Sequence, residues 1–259
     1  MERQHLADLL VNRRMMFSSP NAFNDPYDCR PVFKRGTNAA KDRARIGGAW
    51  DEGRKRAGMP KPSRGERERH ITHVMLELST QEGAAAQFKP FLDNQTGVFC
   101  MSKDWCLLTQ WAYYADEGRG LCVEYEIERD AGFDRVFGVQ YSDERPVVEI
   151  SRLLCDDEYR TKALFAAVTT KAADWAHERE VRALQMKAGL ATHPLGMLRS
   201  IMLGIAATDR NVQWLIELLK ENEITVPVYR TELSLDTFTL ERHQLPGRVV
   251  RSRVPSSKR

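Results

Sequence analysis

Phe23-Asn24-Asp25-Pro26-Tyr27-Asp28, followed by Cys29, sets two carboxylates, a carboxamide and two aromatic rings side by side just after an apolar run, Met15-Met16-Phe17-Ser18. Asn, Asp and Pro make turns, because short polar side chains bond their own backbone and the proline ring presets φ. One or two of them suffice for a turn. Two aromatics among two acids equally describe a polar cleft with apolar walls. Both readings are open on sequence alone: an Asx-turn anchored by Phe23 and Tyr27, or a loop that lines a site.

Three further groups could join it. In Trp175-Ala176-His177-Glu178-Arg179-Glu180-Val181-Arg182, a strand would place Glu178, Glu180 and Arg182 on one face. Two carboxylates so close repel, Arg182 offsets part of that repulsion, and one pKa can rise while the other acid stays ionised. An exposed ion-pair ladder is the plain alternative. His177 would face the other way and is a weak acid–base candidate. Ser102 ends an apolar run, where rigid backbone aims a hydroxyl at a pocket or where the serine caps the next helix. Trp111, Tyr114 and Ala115 share one helical face, with Gly118 and Gly120 beyond. Such a stripe packs a core or stacks on a nicotinamide or nucleobase. No metal is expected: His70 and His73 form an i, i+3 pair without an attached glutamate, and no HExxH, EF-hand loop or GxxxxGK[ST] occurs. No GxGxxG follows a strand, which argues against a Rossmann unit.

The elements that must position these residues follow from periodicity. Helices are expected over 5–12, 38–55, 66–78, 107–115, 151–171 and 211–222, with one or two turns over 87–94. The helix over 38–55 lacks Leu, Val and Phe and is expected to stand off the core. Strands are expected over 97–102, 121–127, 135–141, 179–186 and 198–204, and as a closing pair over 226–234 and 237–243. Without regular βαβ alternation, this order predicts α+β: a mixed, mostly antiparallel twisted sheet flanked by helices. The whole chain, 1–259, reads as a single domain, with 38–80 as a helical basic insertion and 246–259 as a basic, disordered tail.

The 259 residues suffice for a sizeable core. No apolar run approaches the roughly 20 residues of a membrane span, and Met1-Glu2-Arg3-Gln4-His5 has no apolar leader. Five cysteines, an odd number without a CxxC pair, point to a reducing cytoplasm. Cys100 and Cys122 lie in apolar runs, as small buried hydrophobes do. The net charge of +3 conceals an asymmetry: segment 34–69 holds twelve Lys and Arg against five Asp and Glu, and 246–259 holds five basic residues and no acid. Basic segments on an acidic body suit nucleic acid or another polyanion, or are solvated arms.

As a set, these residues resemble a bacterial domain-of-unknown-function family (DUF family 2971). The resemblance rests on Phe17-Ser18-Ser19-Pro20 with Phe23 to Asp28, and on Val98 to Ser102. It also uses Trp111 to Ala115 with Gly120, Lys171 with Trp175, Glu178, Glu180 and Arg182, and Ile201 to Gly204. It covers nearly the whole chain apart from 34–69 and the tail. The resemblance further implies a strand with a Leu-Tyr-aromatic-Tyr motif ahead of the first helix, and this chain begins at that helix.

A weaker likeness is to ADP-ribosyltransferases, which implies their split sheet. It makes NAD a substrate, Ser102 the serine of the NAD-holding strand, Glu180 the catalytic glutamate with Glu178 beside it, and Tyr114 or Phe23 the aromatic against nicotinamide. An aligned carboxylate would stabilise the oxocarbenium-like state as the nicotinamide–ribose bond breaks. Three function classes follow. The first is an ADP-ribosyltransferase-like glycosyltransferase acting on a macromolecular or nucleic-acid acceptor, with Asn24, Asp25, Asp28, Trp111 and Arg182 binding substrate. The second is a non-catalytic module with loop 20–29 as its recognition surface. The third is a Mg²⁺-dependent nuclease with Asp25, Asp28, Glu178 and Glu180 as ligands.

Overall fold

The computed structural model describes residues 3–126, 136–192 and 198–246. Helix α1 (Arg3–Leu10) leads into β1 (Arg14–Phe17), a 3-10 turn (Pro20–Ala22) capped by Ser19, and β2 (Val32–Lys34). Three helices follow: α2 (Ala39–Arg56), α3 (Arg64–Glu77) and α4 (Gln81–Gln95). The side chains of Asn38, Ser63 and Thr80 accept from the first-turn amides of α2, α3 and α4, and Glu66 returns to the Ser63 amide to close a capping box. Then come β3 (Gly97–Ser102), α5 (Leu108–Tyr114), β4 (Leu121–Tyr125), β5 (Val136–Gly138), β6 (Gln140–Ser142) and β7 (Val147–Glu149). Helices α6 (Ile150–Cys155) and α7 (Asp157–Thr169) precede β8 (Thr170–Ala172), a 3-10 turn (Ala173–Glu178), β9 (Glu180–Gln185), β10 (Gly189–Thr192) and β11 (Leu198–Leu203). The described chain closes with α8 (Asp209–Glu221), β12 (Val228–Leu233) and β13 (Leu240–Gln244).

The architecture is α+β, with most strand pairs antiparallel. One sheet runs β13-β12-β11-β4, with β11 and β12 parallel because α8 carries the chain between them. Its apolar face, including Ile201, Leu203 and Val228, meets Leu215 and Leu219 of amphipathic α8. A second sheet, β3-β9-β5, extends through the Ser18↔Val98 bridge to β1 and β10. Two parallel pairs, β2 with β7 and β6 with β8, complete the strand structure. Among the described residues, no helix is long and apolar enough to cross a membrane.

Several expectations need correction. The helix expected over 151–171 is two helices, because the Asp156 carboxylate caps the Tyr159 amide and starts a new one. The β-branched run Val168-Thr169-Thr170 then favours extended backbone, and Lys171 falls in β8. The strand expected over 135–141 is split into β5 and β6; its first residue, like residue 127 of the 121–127 strand, lies outside the described residues. Helix α4 is a full fifteen residues rather than a turn or two. Helix α2 does not stand off: Ile46 is buried with Ile71 and Met75, and Asp42 is buried against Ser151 of α6. Cys100 is exposed and Cys122 half-buried, so neither is a buried hydrophobe. Nearly all of the basic tail, 247–259, lies outside the described residues.

Candidate active site

Strand β9 divides two environments. Its pleat sends Ala183 into an apolar cluster with Met15 and Phe17, and Glu180, Arg182 and Leu184 to the opposite face. Arg182 is completely buried there, and all five of its N–H donors are used. Nε donates to Glu180 Oε1 at 2.8 Å, and Nη2 to Glu180 Oε2 at 3.0 Å and Asp28 Oδ2 at 2.6 Å. Nη1 donates to Asp28 Oδ1 at 2.8 Å and to the Val168 carbonyl at 2.9 Å. The planar guanidinium thus clamps one carboxylate from loop 20–29 and one from its own strand. Phe23 lies over the same guanidinium at 5.4 Å and packs with Cys29, Leu92 and Val168.

The second cation comes from β8. Register pairs Tyr141 with Lys171, so the short β6–β8 ladder delivers both to the site. Lys171 Nζ pairs with Glu178 Oε2, lies 3.3 Å from Glu180 Oε2 and 3.9 Å from Asp28 Oδ2, and sits over the Trp175 ring at 4.8 Å. The Tyr141 hydroxyl accepts from the Glu180 amide at 2.8 Å. Three carboxylates and two cations therefore share one buried volume, with one negative charge in excess. Burial opposes the Lys171 ammonium most strongly, but Glu178, Glu180 and Asp28 together outweigh it and raise its pKa. Burial likewise works against the Glu180 carboxylate, yet Arg182, Cys100 and Lys171 hold it below the usual range.

Glu178 differs from its neighbour. It is not on the strand, as alternation predicted, but ends the 3-10 turn. Arg179 then takes left-handed backbone, φ 51°, which turns both flanking carboxylates toward Lys171. Cys29, next to Asp28, is left-handed as well, φ 57°. Both are non-glycine residues in a conformation that costs about 1–2 kcal/mol each. Glu178 is only 3% exposed. Its Oε1 accepts from the Tyr114 hydroxyl at 2.9 Å, and Tyr114 is 54% exposed. Burial and the Glu178 hydrogen bond push the Tyr114 phenol up to about 12. Asn24, also exposed, reaches the same hydroxyl at 3.5 Å.

The structure thus brings together Asn24, Asp28, Tyr114, Glu178, Glu180 and Arg182 from the sequence-derived set, with Phe23 as a packed wall. Other members fall elsewhere. The Ser102 hydroxyl donates to the Glu178 carbonyl at 2.8 Å and accepts from the Asp104 amide, so it braces a turn and neither faces a pocket nor caps α5. Trp111 is buried with Met202 and Leu240 and donates to the Trp105 carbonyl, diverging from Tyr114. Asp25 forms the Asx-turn, Oδ1 accepting from the Tyr27 amide at 2.8 Å; Oδ2 is buried without a hydrogen-bond partner among the described residues. His177 is exposed and bonds the Asp174 carbonyl. Tyr141 was not among the residues the sequence singled out, and Lys171 entered only through the family resemblance and without a site role; its place four residues before Trp175 was the available signal.

Among the described residues, no three His, Cys, Asp or Glu side chains are arranged to hold a metal ion. Of the four carboxylates the nuclease reading uses, Asp28, Glu178 and Glu180 already face Lys171 or Arg182, and Asp25 is turned into its own Asx-turn. No family model, curated protein or solved structure matches the chain, so the functional reading rests on the site's own geometry.

Proposed function

We propose that the chain is an enzyme of the ADP-ribosyl-transfer type, with Glu178 rather than Glu180 as the carboxylate presented to NAD. One observation carries this reading. Each oxygen of Glu180 and Asp28 faces a cation, whereas among the described residues Glu178 Oε1 faces only the neutral, half-exposed hydroxyl of Tyr114. The excess negative charge of the cluster has its outlet there. A carboxylate at the end of a preorganised, water-poor network suits a developing oxocarbenium ion better than a saturated one does.

In this reading Arg182 and Lys171 hold the three acids ionised in a fixed array. Tyr114 and Asn24 cover Glu178 and swing aside when substrate enters. Tyr114 also supplies the free aromatic face for nicotinamide, since Phe23 is committed to Arg182. Five buried ionisable groups and two left-handed non-glycine residues are costly to maintain, and such features concentrate where chemistry is done.

The test is nicotinamide release from NAD by the full chain. Glu178→Gln should lower turnover by about 100-fold, the scale for losing a key electrostatic group, while NAD still binds in calorimetry. Absence of NAD binding by the unaltered chain would remove the reading. A second reading, a non-catalytic recognition module, is favoured by the closure of the cluster: Asp28, Glu178 and Glu180 are each at most 6% exposed. It expects partner binding that fails when Asn24, Tyr27 and Tyr114 are replaced, with no NAD turnover.

A further inference from the structure

Segment 34–69 carries the chain's largest charge excess, and the fold sorts those charges. Arg43 pairs with Glu68 at 2.6 Å, Arg67 with Asp51 at 2.8 Å, Arg56 with Glu52 at 3.4 Å, and Arg45 lies 3.7 Å from Asp42. Glu66 is committed to the Ser63 amide at 2.8 Å. Every acid of the segment therefore has a partner. At the end of the α2–α3 hairpin, Lys55, Lys61 and Arg64 are exposed and have no ion pair among the described residues.

The same end carries an aromatic stack. The Trp50 and His70 rings lie 4.3 Å apart and 15° from parallel, and the Arg54 guanidinium covers Trp50 at 5.2 Å. Arg54 also donates twice to the Pro60 carbonyl, at 2.9 and 3.2 Å, tying the stack to the turn that bears Lys61. A groove of about 340 Å³ runs alongside, walled mostly by apolar and aromatic side chains, Ile46, Trp50, His70, Val74 and Phe88, with Glu77 as its one carboxylate. Burial first, and then His73, hold the His70 pKa below its ordinary value, so its ring is neutral at pH 7.

Unopposed cations alone would fit any polyanion, an anionic bilayer included. A stacked aromatic wall over an apolar groove selects a polyanion whose apolar parts are flat rings. A duplex buries its base faces within its own stack; a single strand offers them. We propose that the end of the α2–α3 hairpin binds single-stranded nucleic acid, with Lys55, Lys61 and Arg64 on the phosphates and the Trp50–His70 wall taking a base. This surface is independent of what the buried cluster does.

Anisotropy of a labelled, short, mixed-sequence single strand titrated with the full chain tests it. Binding should weaken as salt rises, and the combined K55E, K61E and R64E variant should bind at least about tenfold more weakly, with a log–log salt slope shallower by about 2. Trp50→Ala should weaken binding about tenfold with the slope unchanged. Because Trp50 also packs α2, His70→Ala serves as a second probe, with helix content checked by circular dichroism. The proposal falls if the unaltered chain fails to bind the strand at low salt, or if the charge-reversed chain binds equally well. It also falls if a duplex of equal length binds as tightly, or if phosphatidylserine vesicles and not the strand are taken up through these three residues.

Discussion

Arg182 and Asp28 stand 154 positions apart and are joined by two parallel hydrogen bonds of 2.8 and 2.6 Å, both side chains buried. A buried pair of this kind contributes little compared with a well-packed apolar alternative, but breaking one side strands the other charge. Asp28→Asn and Arg182→Lys should each lower unfolding stability by about 3–5 kcal/mol, read from urea melts at pH 7. Lysine keeps the charge but not the fork, so an unchanged midpoint for Arg182→Lys would show that bidentate geometry is immaterial here.

Tyr114 offers an optical readout of the site. Its phenol, raised from 10.0 to about 12, favours the protonated form in the folded chain. The associated stability is therefore full below pH 10 and is lost between pH 10 and about 12. Burial also raises Tyr125 and Tyr141, so the Tyr114 transition is read as the alkaline absorbance lost in Tyr114→Phe. Its midpoint should lie near 12, and Glu178→Gln should move it toward its ordinary value. A midpoint unmoved by that substitution would place the cause in burial alone.

Much of this arrangement was visible in the residue order. Gly97–Ser102 is the strand that its apolar run predicts, and Glu180 and Arg182 share a face as alternation requires. Of the stripe Val212, Leu215, Ile216 and Leu219 that periodicity predicts for helix α8, Val212, Leu215 and Leu219 pack on the sheet, whereas Ile216 is exposed at the edge of that face. What periodicity could not show is where one local preference yields to another. Lys171 was masked because helical composition runs on past the point where β-branched residues end α7. Glu178 was misplaced because nothing in Arg179 signals left-handed backbone; tertiary contacts hold it there, including the Lys103 amide on its carbonyl at 3.0 Å. Ser102 and Trp111 had suitable types and spacing, but their hydrogen bonds close on backbone carbonyls.

Glu180 should make the fold acid-sensitive in a defined window. Its pKa lies below the ordinary 4.5, so its contribution is full above that value and is lost as pH falls through the depressed one. Urea midpoints should decline as pH drops below about 4.5. Carboxyl-carbon NMR of the intact chain should show Glu180 titrating later than exposed glutamates. A Glu180 resonance that titrates with them would contradict the ion-pair account.

Arg179 tests the turn between the two glutamates. Left-handed backbone suits glycine, and the exposed Arg179–Asp104 pair at 2.7 Å is worth about 0–1 kcal/mol. Arg179→Gly should therefore fall within about 1 kcal/mol of the unaltered chain, whereas Arg179→Val should lose about 1–2 kcal/mol. Equal melting of the two variants would mean that the conformation carries no strain.

The five-residue ion cluster has a consequence for how the chain is made. Its members come from loop 20–29, β8, the 3-10 turn and β9, so the ring of charges closes only after everything between Asp28 and Arg182 has been synthesised. Closing so long a segment is entropically slow to arrange, and until Arg182 arrives Asp28 lacks the guanidinium that holds both of its oxygens. An incomplete chain emerging from a ribosome therefore carries the acids and cations without the site. Assembly of the ion cluster is a late event that reports completion of residues 28–182, and a nascent or truncated chain ending before β9 cannot form it.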